Sequence, residues 1–136
     1  MNDLADTLKK KSLQYVLCHG DAHYWNMIQS KRIKLIDWEC AMLAPPEQDL
    51  ILHVTGQHTA SFLATYRKYV QTKELDLDAL EFYFLKRRLE GIWQWIQDLR
   101  NHEVIKSQEE TVKLLKLNLI ECTKVTRFRA YLEKGM

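Results

Sequence analysis

The sequence predicts an α+β domain, mainly α, in which a small β-hairpin carrying a polar loop is followed by a helical bundle. Three observations predict it. Short apolar runs between residues 15 and 36 are separated by polar turn residues, the signature of brief strands. From about Glu47 onward, apolar residues return at three- and four-residue spacing, the helical period. Two capping-box-like starts, Asp78–Glu81 and Ser107–Glu110, mark where long helices open.

Taken in order, residues 3–11 suggest a short helix with Leu4 and Leu8 on one face. Tyr15-Val16-Leu17-Cys18 is too brief for a helix and is bounded by His-Gly-Asp, so it reads as a strand. Met27–Gln29 and Ile33–Ile36 read as two strands joined by the Ser30-Lys31-Arg32 turn. Ala41–Pro46 reads as a loop stiffened by Pro45-Pro46. Asp49 is placed to help cap a helix through Leu50, Ile51 and Val54 that ends near Gly56. A second helix carries Phe62, Tyr66, Tyr69 and Val70. The long helix opened by Asp78 repeats Leu85, Leu89, Ile92, Ile96 and Leu99 in the rhythm of a buried stripe, widened by Trp93 and Trp95. A last helix begins at Ser107, sets Val112, Leu115, Leu119 and Cys122 on one face, and stops at Gly135. No repeat or low-complexity segment divides the chain, and residues 1–136 are expected to form a single domain.

Composition narrows the functional classes. Net charge is +2, with Lys9–Lys11 and the Lys31, Arg32, Lys34 cluster reading as solvated positions, so neither nucleic acid nor membrane is implicated electrostatically. No apolar run approaches the roughly 20 residues of a membrane span, and the N-terminus lacks a signal-peptide core, which points to a cytoplasmic protein. The three cysteines are far apart and odd in number, against a disulfide framework; Cys18 and Cys40 read as small buried hydrophobes. The four glycines stand alone, so neither glycine-rich phosphate-loop motif is present.

The chemistry is concentrated in residues 18–26, CHGDAHYWN. His19, Asp21 and Asn26 follow the spacing H-x-D-x-x-x-x-N, and eleven residues beyond Asn26 comes Asp37 in Ile-Asp-Trp-Glu, at the end of a strand. Moving a phosphoryl group requires a carboxylate at the acceptor hydroxyl and hard oxygen ligands for a magnesium ion that bridges phosphates. A hairpin in which Asn26 begins one strand and Asp37 ends its partner sets both at one edge, close to Asp21. Several residues also admit plainer readings. His19 and His23, with Cys18, have zinc-like spacing, but Gly20 argues against the helix such a site needs. Asp37 alone could cap a turn. Glu39 is an acceptor contact or a solvated residue. Trp93, Trp95 and Asp98 line an acceptor pocket or belong to the core.

HGDAHYWN, KLIDWE and PPEQDL together resemble the C-terminal lobe of the aminoglycoside phosphotransferase and choline kinase-like family, whose fold is protein-kinase-like. The resemblance is specific over residues 15–50 and architectural beyond them; Tyr24 and Trp25 depart from the small or proline-containing residues common at those places. It implies that Asp21 is the catalytic base and that Asn26 and Asp37 bind Mg²⁺; His23, read from the loop itself, stands near the phosphates of ATP or the acceptor, or is a surface loop histidine. It gives His19 and Asp49 the role of supporting the loop. The acceptor it implies is a small hydroxylated molecule, aminoglycoside- or choline-like. Family members also carry an N-terminal nucleotide-binding lobe, whereas 14 residues precede the first strand here. The chain is therefore expected to be a kinase-like C-terminal lobe, weakly active or inactive alone, with self-association or a partner chain covering the bare surface. Two alternatives stay open: a non-catalytic binding module that keeps the fold, and a metal-dependent hydrolase using Cys18, His19, Asp21 and His23.

Overall fold

A computed structural model describes residues 2–55, 58–70, 74–101 and 107–135. Helix α1 (Asn2–Lys9) leads into strand β1 (Val16–Cys18), a 3₁₀ turn at Tyr24–Asn26, and the hairpin of β2 (Met27–Gln29) and β3 (Ile33–Leu35). A second 3₁₀ turn, Trp38–Cys40, leads to β4 (Met42–Ala44). Helices α2 (Glu47–Leu50), α3 (Thr59–Tyr69), α4 (Leu77–Asn101), α5 (Gln108–Thr123) and α6 (Val125–Gly135) complete the chain. This is the mainly helical architecture with a small hairpin that the sequence predicts.

The strands form two antiparallel pairs. Met27 faces Leu35 and Gln29 faces Ile33 in one; Val16 faces Ala44 and Cys18 faces Met42 in the other. The second pair corrects the expectation of a loop over Ala41–Pro46. A lone strand leaves its N–H and C=O groups without partners, and β4 supplies them to β1. Pro45 and Pro46 then end the strand, having no N–H to donate.

Three helix boundaries also differ from expectation. Pro46, not Asp49, stands at the start of α2, and Asp49 lies inside that single turn of helix. Turns rather than helix continue from Ile51, and the expected stop at Gly56 lies outside the described residues. At α4 the cap is Asp76, whose Oδ1 accepts the Ala79 N–H at 3.0 Å, instead of Asp78. Asp78 is drawn away by Lys11 (2.6 Å) and Arg129 (2.7 Å), which hold its carboxyl below the usual range. The Ser107–Glu110 capping box is present in both directions, at 3.2 and 3.1 Å. The single last helix is in fact two, broken at Lys124, so that α6 turns back to bury Leu132 and stack Phe128 on Phe84 with ring centroids 4.5 Å apart.

The core gathers Leu50, Ile51 and Val54 with Leu63 of α3, Leu80 and Phe84 of α4, and Leu132 of α6. A fully buried leucine of this kind contributes about 1.5–3 kcal/mol. The core occupies the first turns of α4. Further along, Leu89 and Ile96 are each 44% exposed and Trp93 is 63% exposed, while Leu85 packs against the core and Ile92 and Leu99 are half-buried, so the expected stripe is covered only in part. The buried residues that α5 contributes are Thr111 and Asn118, while Val112 and Leu119 face outward. Periodicity shows that a helix has an apolar face; which side a neighbour covers depends on partners elsewhere in the chain. Among the described residues, no helix is long and apolar enough to cross a membrane.

Candidate active site

The site is built by making one short loop immobile. Gly20 adopts φ +83°, a left-handed conformation, and a Cβ there would overlap the backbone carbonyl of Cys40. Only glycine fits without displacing that strand connection. Asp49, turned back from α2, accepts the N–H of His19 through Oδ2 at 2.6 Å and the N–H of Gly20 through Oδ1 at 2.8 Å. Two consecutive amides on one carboxylate fix the direction of the chain as it enters the loop.

His19 is buried and couples this loop to the end of the hairpin. Its Nδ1 accepts the Asp21 N–H at 3.3 Å, so Nε2 carries the proton and donates to the Ile36 carbonyl at 2.8 Å. The Trp38 ring lies 4.6 Å from it, centroid to centroid. Thus one imidazole holds the backbone at Asp21 and at the residue before Asp37.

Around Asp21 the side chains converge. Oδ1 accepts from Arg87 of α4 at 2.5 Å, and Oδ2 lies 3.3 Å from His23 Nε2 and 3.4 Å from Asn26 Nδ2. Asn26 is buried and also donates Nδ2 to the Asp21 carbonyl at 2.9 Å. That bond fixes the amide, and no donor among the described residues takes its oxygen. Across the hairpin the Ile36 N–H donates to the Asn26 carbonyl at 3.0 Å, so Asp37 follows at the same end. Asp37 has φ 65°, the one non-glycine residue with positive φ among those described. Backbone strain of this kind concentrates at functional positions. An amide oxygen and a carboxylate are hard donors suited to magnesium, which takes few protein ligands and keeps waters and phosphates. Asn26 and Asp37 therefore fit such an ion.

Beside the loop, a cleft of about 760 Å³ opens between Gly20, Cys40 and Met42 on the β side and Lys86, Arg88 and Trp95 on α4. That volume lies within the range of small-molecule sites. Trp93 and Asp98 do not line it: the first is largely exposed, and the second accepts from Gln94 one turn earlier at 2.8 Å. Glu39 is exposed in the 3₁₀ turn after Asp37. Cys40 is exposed too, correcting its reading as a buried hydrophobe; its carbonyl and Cβ lie against Gly20 and it lines the cleft.

The zinc and hydrolase readings lose their donors. The Cys18 thiol is turned toward the carbonyls of Ala44 and Pro45, each at 3.5 Å, and burial pushes it up to about 11. The His19 ring is fully engaged within the loop. Among the described residues, no group of three or more His, Cys, Asp or Glu could hold a metal ion.

Sequence reasoning missed Arg87, which reaches Asp21 from 66 positions away, and Gln48, whose Nε2 donates to the Gly20 carbonyl at 3.4 Å. The signal for the first was there: Lys86-Arg87-Arg88 is a run of three cations between the apolar stretches Phe82–Leu85 and Ile92–Trp93 of α4. Gln48 stands in the PPEQDL segment, one residue before Asp49, and nothing in its spacing marks it.

Comparison with known proteins places this geometry. No curated protein matches the chain. Two solved structures of spectinomycin phosphotransferase, APH(9)-Ia, are similar at 26% identity. The complex with ADP and spectinomycin matches with a TM-score of 0.66 over 98% of this chain and 44% of that one. The AMP-bound complex matches with a TM-score of 0.65 over 94% and 42%. The chain thus spans less than half the length of these relatives. The model of the phosphotransferase enzyme family, APH, matches residues 1–83, more than half of the sequence, and the chain belongs to that family.

Proposed function

We propose that this chain is the catalytic lobe of an ATP-dependent phosphotransferase acting on a hydroxyl of a small molecule. The observation that carries the reading is the coupling of Asp21, Asn26 and Asp37 at one hairpin end through the His19 imidazole. The similar structures that hold ADP or AMP support nucleotide use. In this reading the Asp21 carboxylate orients the acceptor hydroxyl and takes its proton as the oxygen attacks phosphorus. His23, beside Asp21, lies near the phosphates. Asn26 and Asp37 hold Mg²⁺, which when bound neutralises charge on the transferring phosphates. His19 and Asp49 keep the loop in register and touch no reactant.

Manganese, a paramagnetic substitute for magnesium, provides the test. Added with ADP, it should broaden the NMR amide signals of residues 21–26 and 36–38 before those of the helical body. Asp37→Ala should remove the broadening, and Asp21→Ala should leave most of it while abolishing phosphoryl transfer in a protein completed with a nucleotide-binding lobe. Uniform broadening, or broadening indifferent to Asp37, would overturn the assignment.

A further inference from the structure

The charges on the cleft wall are unequal in what they leave available. Lys86 is paired with Glu90 at 2.5 Å, and Arg87 with Asp21. Arg88 differs. Its Nη1 donates to Asn118 Oδ1 at 3.2 Å, and its guanidinium lies 5.3 Å from the centroid of the Phe84 ring. Both partners are neutral, and among the described residues no carboxylate lies within ion-pair distance of it. Asn118 is itself fixed: buried, it donates Nδ2 to the Leu114 carbonyl at 3.0 Å. Neutral groups thus hold the guanidinium in place without cancelling its charge, an arrangement that favours bidentate binding of a carboxylate or phosphate. A second feature of the same cleft points to a hydroxylated ligand. Gln48, also lining it, is 7% exposed, and its Oε1 is buried with no donor among the described residues. The carboxylate that lines the cleft, Glu90, is paired with Lys86.

We infer that the acceptor is a hydroxylated anion, carrying a carboxylate or phosphate that Arg88 binds and a hydroxyl that donates to Gln48 Oε1, in place of an aminoglycoside- or choline-like cation. The inference rests on the phosphotransferase reading for what happens next. An acceptor hydroxyl gives its proton to Asp21 and its oxygen bonds to the γ-phosphorus of ATP. The bond from that phosphorus to the β–γ bridging oxygen breaks, yielding the phosphate ester, ADP and, once Asp21 releases it, a proton.

Binding, measured without turnover, tests the inference separately from the chemistry. Glycerol 3-phosphate and glycerate serve as anionic probes, glycerol as the neutral one and choline as the cationic one, each titrated calorimetrically into the chain. The anions should bind about tenfold or more tighter than glycerol or choline. Arg88→Gln should remove that preference. Asn118→Asp, which leaves Arg88 in place but supplies a neutralising carboxylate, should weaken the anions while its circular dichroism stays native. Saturating ADP with Mg²⁺ should leave anion binding intact. Choline binding as well as the anions, no anion preference at all, or indifference to both variants would overturn the inference. So would displacement of glycerol 3-phosphate by ADP, which would assign Arg88 to the nucleotide. If manganese with ADP fails to mark Asp37 yet the anions bind through Arg88, the phosphotransferase reading falls and the anion site stands.

Discussion

Around Leu80 the chain is held by apolar contact on every side; around Asp21 it is held by hydrogen bonds to backbone and by one glycine. Leu63, Leu80, Val54 and Leu132 are essentially without solvent contact, and they come from four separate segments. The β layer does the opposite with its large apolar residues: Leu17, Ile33, Trp25 and Leu43 are each more than two-thirds exposed. Its order comes from Asp49 on two amides, His19 across two loops and the left-handed Gly20. Apolar packing is non-directional and secures stability. Charged hydrogen bonds to backbone secure position, which is what a catalytic carboxylate and a metal ligand require. The helical body therefore supplies a rigid base, and the polar tethers aim the site from it.

The largest effect that would sharpen this division comes from the body. Leu80→Ala removes a fully buried side chain from the centre of the core, and the lost transfer energy plus the cavity should cost about 2–5 kcal/mol. Chemical denaturation should show the loss as one cooperative transition at lower denaturant. A loss below about 0.5 kcal/mol, the range of surface substitutions, would mean that Leu80 is not central to the fold.

A smaller effect, differently distributed, is expected at the tether. Asp49→Ala leaves the His19 and Gly20 amides without their acceptor and should cost about 1–3 kcal/mol. The distinguishing measurement is hydrogen exchange. Amides of residues 19–26 should exchange faster than global destabilisation alone accounts for, while the α3 and α4 amides change only with global stability. Equal acceleration everywhere would break the distinction between base and tether.

The difference also explains what was legible in advance. That Asp21, Asn26 and Asp37 come together at one hairpin end could be read because it depends on spacing within one loop and one hairpin, and local spacing is what a sequence displays. The hairpin over residues 27–35 and the Ser107 capping box were legible for the same reason. Strand β4 was not, because its partner lies 26 residues earlier and its two prolines suggest a loop. Asp76 and Asp78 could not be told apart as caps without knowing that Lys11 and Arg129 approach the second. The stripe at Leu89 and Ile96 has helical period whether or not a neighbour covers it. Arg87 and Arg88 acquire meaning only when α4 is laid against Asp21 and Asn118.

The smallest effect on the isolated chain tests the outward face of the β layer. Leu17 and Leu43 are directly opposed in the β1–β4 register and 68% and 71% exposed, so they touch each other and little else. Replacing both with serine should change the stability of the chain by no more than about 1 kcal/mol, since each site is a surface one. A large loss of stability in the isolated chain would show that Leu17 and Leu43 belong to the core after all.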